Sequence, residues 1–193
     1  MLNSSANVAT MKFLTDMVKS GLTTPNPATT QRSDVFNEFT QGKIGMIDGA
    51  VFLPTQIKQQ NPSLQYGVSD IPVNAGQPKF TLAVQDYLMS FKHPGNTAAV
   101  EKFVDYLYQP SNYNTILSAE GFLPPLKSDS SFATTPALAP FVAALPSATL
   151  YPNTQANWPA VQGAIQQQIG LAVQGQDPSS ILGQIQQTAQ QGS

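Results

Sequence analysis

The stretch "FTQGKIGMIDGAVF", Phe39 to Phe52, decides how the chain is read. Between Gly42 and Gly49 apolar side chains alternate along a short extended run, and that pattern predicts a strand over roughly Lys43–Asp48. The run then ends on an acid, a glycine and an aromatic. Asp48 and Phe52 are thereby placed side by side at the start of a helix expected to begin near Ala50 and reach "QQNP". A strand that only served a core would have no reason to finish on a carboxylate and an exposed-edge ring.

Upstream, "SSANVATMKFLTDMVKSGL" is an amphipathic helix. Val8, Met11, Leu14 and Val18 fall three or four apart, Ser4 or Ser5 can cap the start, and Gly21 can end it. "TTPNPATT" is a proline-bearing loop, and "SDVFNEFTQG" a short helix opened by Ser33 or Asp34. Downstream, "LQYGVSDIPV" is extended, "NAGQP" turns, and "KFTLAVQDYLMSFK" is a strand pair or one long bent strand. Two helices follow. Asn96 can cap the first, with Val100, Phe103, Val104 and Leu107 as its stripe; Pro110 opens the second and Gly121 closes it.

"FLPPLKSDSS" reads as loop, and the prolines around "PALAPFVAALP" allow at most a short helix. Near the end, Pro159 sits in the first turn of a helix that stops at Gly175. Asp177 caps a final helix with Leu182, Ile185 and Ala189 inward. The apolar period persists through the Gln-rich stretches, so these are solvated helix faces. Strands alternating with helices make the chain α/β.

Composition narrows the function. The 193 residues suffice for one domain or two small lobes, and 41% are hydrophobic. Only 10% are charged, against about 25% in ordinary globular chains, so neutral amides and hydroxyls wet the surface. A net charge of −2 and a pI of about 5.1, with no Lys or Arg run, give no support to a nucleic-acid groove or an anionic-membrane patch. The absence of cysteine removes disulfides, zinc-thiolate sites and thiol nucleophiles. No apolar stretch reaches the ~20 residues of a membrane span. "MLNSSANVAT" lacks the basic and apolar regions of a signal peptide, so either the chain is cytoplasmic or its export signal lies outside it.

Catalytic readings fare poorly. The one histidine, His93, stands in "KHPGN", a loop context that suits a solvated imidazole better than a triad base. Calcium-loop spacing and phosphate-cradling glycines are absent, and no metal or cofactor is expected. Asp48, Asp86 and Glu120 could supply the two carboxyls of a glycosidase, but a turn, cap or hydrogen-bonding role suits each better. Aromatics tell more. Trp158, the sole tryptophan, begins a helix, and Phe52, Tyr87 and Phe122 each flank a glycine or an acid at an element boundary. Singly, each is a packing residue by preference. Together, rings beside carboxylates and amides are what a sugar needs, since its C–H faces stack while its hydroxyls pair with Asp, Asn and Gln.

The motifs "FTQGKIGMIDG", "NPSLQYGVSDIPV", "GQPKFTLAVQDYLMSF", "NTAAVEKFVDYLYQPSNYNTILSAEGFLPP" and "NWPAVQGAIQQQIGLAVQGQDPSSILGQIQQT" follow one another in a familiar order. In that order the chain resembles the second half of an ABC-importer solute-binding protein of the sugar-binding group that includes maltose-binding proteins. The resemblance implies a periplasmic-binding-protein-like fold: two α/β lobes with the ligand in the cleft between them. Residues 1–81 and 124–193 would build the C-terminal lobe, and 82–123 would cross into the N-terminal lobe. Lobe closure is what the membrane permease senses, and location is extracytoplasmic, in the periplasm or as a cell-surface lipoprotein.

By the same resemblance, Asp48 and Phe52 lie at the cleft edge, where ligand sites sit at the carboxyl ends of α/β strands. In the family an aromatic two residues past the strand-end glycine often stacks on the sugar; here Val51 holds that place and Phe52 comes next. Trp158 matches the family's stacking tryptophan, with Gln162 one turn later on its face. Asp86 and Tyr87 stand where the crossing strand re-enters the other lobe. The implied partners are a carbohydrate ligand, ABC permease subunits and the missing N-terminal half of the same protein, without nucleic acid and without catalysis. A carbohydrate-processing enzyme, a protein-gripping module, or a binder of polyols, glycerol phosphodiesters or peptides are the rival readings. The stripe from Val100 to Leu107 would lack a partner, which leads us to expect a chain cut from a longer protein, a complementary chain, or self-association.

Overall fold

A computed structural model describes residues 1–125 and 135–191. The expected loop at 122–131 and the residues just after it therefore lie in part outside the described residues. Two compact units divide the chain, one formed by Met1–Arg32 with Pro152–Ser193 and the other by Ser33–Tyr151.

The first unit is helical. α1 (Ser5–Lys19) starts where the Ser4 hydroxyl accepts from the Asn7 N–H at 3.3 Å, and it ends at Ser20, before Gly21 turns at a φ of +66°. Its buried face differs from expectation by one position. Met11 and Thr15 are buried and Val8 and Val18 half-buried, while Leu14 is 52% exposed. Thr15 can be buried because its hydroxyl donates to the Met11 carbonyl at 2.8 Å, leaving no unsatisfied donor inside.

α7 (Trp158–Gln168) begins with Trp158 and Pro159 and tightens into a 3₁₀ turn at Ile169–Ala172. There Gly170 passes so close to Ala28 that a Cβ would sit 2.8 Å from the alanine's. α8 (Pro178–Gln191) is capped by Asp177, whose carboxylate accepts from the Ser180 N–H at 2.9 Å and its hydroxyl at 3.0 Å. Met11, Val161, Ala164, Ala172, Ile181, Leu182 and Ile185 form the core between these helices. Burying each larger aliphatic chain there contributes about 1.5–3 kcal/mol. Two side-chain amides tie the edges: Asn157 donates to the Ala189 carbonyl, and Gln186 accepts from the Leu2 N–H, each at 2.6 Å.

The second unit holds α2 (Arg32–Thr40, its first residue just across the boundary), α3 (Leu53–Gln60), α4 (Thr97–Leu107), α5 (Pro110–Glu120) and the short α6 (Ala139–Ala144). A two-stranded parallel sheet pairs β1 (Thr81–Ala83) with β2 (Ala148–Leu150), Thr81 opposite Ala148 and Ala83 opposite Leu150. Two expectations are corrected here. Lys43–Asp48 runs without ladder pairing, and of "KFTLAVQDYLMSFK" only Thr81–Ala83 is strand. Strands exist only where a neighbour supplies N–H and C=O groups, and β2 supplies them for three residues. Beyond it Val84 is 67% and Phe91 80% exposed.

A compact core gathers Phe36, Leu53 and Ile57, with Phe39, Ile47, Ala50, Phe52 and Leu64 against it. Asn61 closes α2 from a distance, its amide donating to the Thr40 carbonyl at 2.9 Å. α4 buries none of its residues, and Phe103 stands 56% exposed. α5 ends as expected at Gly121, in the left-handed region at a φ of +75°.

Candidate functional site

Each expected ligand contact takes its position from a local feature. Asp48 lies exposed in the extended run before a turn in which the Leu53 N–H reaches the Ala50 carbonyl at 3.0 Å. Gly49 keeps that turn tight: a Cβ there would stand 3.3 Å from Leu53 Cδ2. Pro54 then sets the first turn of α3. Asp48 is therefore exposed just ahead of a turn that is fixed to the core by Leu53, which is only 5% exposed.

Phe52, a packing residue taken singly and a ring platform by the resemblance, is packed on one side of that turn. Half-buried, it meets Phe36 edge-to-face at 5.6 Å between centroids and Phe122 at 6.2 Å. Such pairs contribute about 0.5–1.5 kcal/mol each beyond area burial. The backbone is close-fitted as well. Gly121 lies against this turn, where a Cβ would collide with the Thr55 hydroxyl and approach Phe52 Cα to 3.3 Å. Sequence reasoning noted Phe122 as a boundary aromatic but gave it no role. The signal that could have found it is "EGFLPP", a glycine-ended helix whose next N–H returns to the Leu117 carbonyl and so fixes where the following ring starts.

Asp86 and Tyr87 follow β1 in the exposed segment, and the Tyr87 hydroxyl donates to Gln85 Oε1 at 3.0 Å. Both can offer oxygens to a solute. Trp158, in the other unit, is the first residue of α7, half-buried, with the indole packed on the helical core and its ring nitrogen shielded from solvent. Gln162 is exposed one turn on, on the same side of α7. So Asp48 lies just before the turn that holds Phe52, Asp86 and Tyr87 are adjacent, and Trp158 and Gln162 share one helix face; the first four belong to one unit and the last two to the other.

A groove of about 290 Å³ lies elsewhere in the helical unit, lined among others by Lys12, Asp16, Lys19 and Asp177, and none of the six residues borders it. Its lining carries two lysines and two aspartates, and one of those aspartates, Asp177, caps α8. Among the described residues no group of three His, Asp or Glu side chains is placed to hold a metal ion.

The sequence profile of the bacterial extracellular solute-binding proteins matches residues 2–146. Three relatives are each 34% identical over 154 residues: proteins of Brucella abortus (strain 2308), Brucella abortus biovar 1 (strain 9-941) and Brucella suis biovar 1 (strain 1330), all named only provisionally, as binding proteins. The aligned part covers 78% of this chain, and the chain spans 38% of the relatives' own length. With three-quarters of its length inside that profile, the chain belongs to the bacterial extracellular solute-binding protein family.

Proposed function

We propose that this chain is part of the substrate-binding component of an ABC importer, taking a sugar or oligosaccharide in a cleft between two lobes outside the cytoplasmic membrane. The family is generally non-enzymatic, and its fold is periplasmic-binding-protein-like. Within that fold, 1–81 and 124–193 belong to one lobe and 82–123 enters the other. Permease subunits read the closed form. The observation that carries the reading is the family match across residues 2–146, which contains Asp48, Phe52, Asp86 and Tyr87 with both carboxylates exposed.

Chemically, the set suits a neutral polyhydroxylated ligand. Asp48, Asp86, Tyr87 and Gln162 supply hydrogen-bond acceptors and donors for hydroxyls, Trp158 supplies a ring face, and none of the six is basic. The exposed apolar side chains of Leu82–Phe91 and α4 then face the portion of the protein that its relatives carry beyond this chain.

The test is a thermal-shift panel of mono- and oligosaccharides, polyols, glycerol phosphodiesters and peptides. A ligand at a hundred times its Kd stabilises by about 2.7 kcal/mol and raises Tm by roughly 5–10 °C. A shift confined to saccharides supports the reading. A shift confined to peptides or phosphodiesters, or turnover of a saccharide lost in Asp48→Asn, overturns it.

A further inference from the structure

We infer that Gly121 and Phe122, at the carboxyl end of α5, are positioning residues for the Ala50–Leu53 turn that directly follows Asp48. The inference rests on the reading of Asp48 as a ligand contact. It commits Phe52 to holding that turn rather than to stacking on a sugar.

Three observations converge on one spot. Phe52 forms the joint between the Asp48 turn and α3, and its ring is held edge-on between Phe36 of α2 and Phe122. Gly121 supplies the only kind of residue that fits beneath it. Its φ of +75° is a left-handed conformation, and a side chain there would strike Thr55 and crowd the Phe52 Cα. The Phe122 N–H returns to the Leu117 carbonyl at 2.9 Å, so the ring's place is fixed by the end of α5 and not by a free loop. Leu117 is itself buried at 7% exposure, which anchors that end. The chain of contact runs from α5 through Phe122 and Phe52 to α2, and the turn that follows Asp48 lies at its middle.

A displacement of α5 would thereby reach the turn that follows Asp48 without any residue of α5 touching the ligand. A ring with packed neighbours on both sides has few alternative positions, since filled cores shift between discrete arrangements rather than deform smoothly. Phe122 thus holds Phe52, and Phe52 packs with Ile47 and Ala50, the residues on either side of Asp48 and Gly49, on one core.

The experiment uses the whole chain, isotope-labelled, and needs no ligand. Phe122→Leu removes the ring edge. It is compared with Ile57→Val, a loss in the same core one turn along α3 from Leu53, and with Phe122→Tyr, which keeps the ring. Amide shifts of Asp48 and Gly49, and hydrogen exchange at Leu53 and Gln56, are followed. The expected result is that Phe122→Leu moves both shifts and speeds exchange at those two amides roughly five- to tenfold, that Phe122→Tyr restores the native values, and that Ile57→Val leaves Asp48 and Gly49 in place. Phe122→Met serves if Phe122→Leu does not fold. Unmoved Asp48 and Gly49 signals in the ring-less variants, or equal movement in Ile57→Val, would overturn the assignment. A negative saccharide panel leaves this result untouched, so failure of the two ideas can be told apart.

Discussion

Replacing Gly121 with alanine tests the packing around the Asp48 turn most sharply. Two costs combine. A non-glycine residue in the left-handed region costs about 1–2 kcal/mol. Forcing a methyl against packed atoms costs about 1–3 kcal/mol more. The Cβ would collide with the Thr55 hydroxyl and stand 3.0 Å from Thr55 Cβ and 3.3 Å from Phe52 Cα, and backbone at that last contact has little room to give. We expect a loss of about 2–5 kcal/mol, read as a fall in urea midpoint at unchanged slope. Gly76 is the control: its φ is +80°, but nothing lies within 4 Å of an added Cβ, so Gly76→Ala should cost only the backbone share, about 1–2 kcal/mol. Thr55→Ala in the Gly121→Ala background should recover part of the difference, because it removes the hydroxyl but not the Phe52 contact. Equal losses for Gly121→Ala and Gly76→Ala, or no coupling with Thr55, would refute the close fit.

Three further outcomes follow from the same structure. Met11→Ala should cost about 2–5 kcal/mol in urea unfolding while Leu14→Ser stays within about 0.5 kcal/mol, because Met11 is 5% exposed and Leu14 faces water. Asp177→Ala should cost about 1 kcal/mol by removing the cap on α8, and Asp177→Asn should recover most of it. Above neutrality, Tyr113 gives the pH dependence. Burial first, then its ring neighbour Tyr108 through charge and a hydrogen bond, raises the phenol's pKa above its ordinary value. Its contribution is present in full below pH about 10 and is lost as pH rises through the raised folded value. Tyr113→Phe should flatten that alkaline limb in a melting series.

The helices were readable because their signals are local. Ser4, Asp177, Pro110 and Gly121 act within a turn of where they stand, and each does in the structure what its position announced. The strands were not, because alternation says only that a segment can be extended. Whether it joins a ladder depends on a partner remote in sequence, and Ala148–Leu150 has no pattern pointing to Thr81. On α1 the helical period put Leu14 on the inner face, but Thr15 takes the buried place, with its hydroxyl satisfied by the Met11 carbonyl. The packing around Phe52 was hidden for a similar reason. The rings that enclose it come from α2 and from the end of α5, and a linear motif around Asp48 contains neither. The exposure of Asp48, Asp86 and Gln162 agrees with a solute-facing role, and their place in a common cleft stays a proposal.

Trp158, as the sole tryptophan, gives the central claim its own reporter. The decisive measurement is its fluorescence during titration with the saccharide panel, on the native chain and on Asp48→Asn. The account predicts a saturable change in emission with at least one saccharide, weakened roughly tenfold when the Asp48 carboxylate is lost. Emission that stays constant while another solute class raises the melting temperature would contradict it.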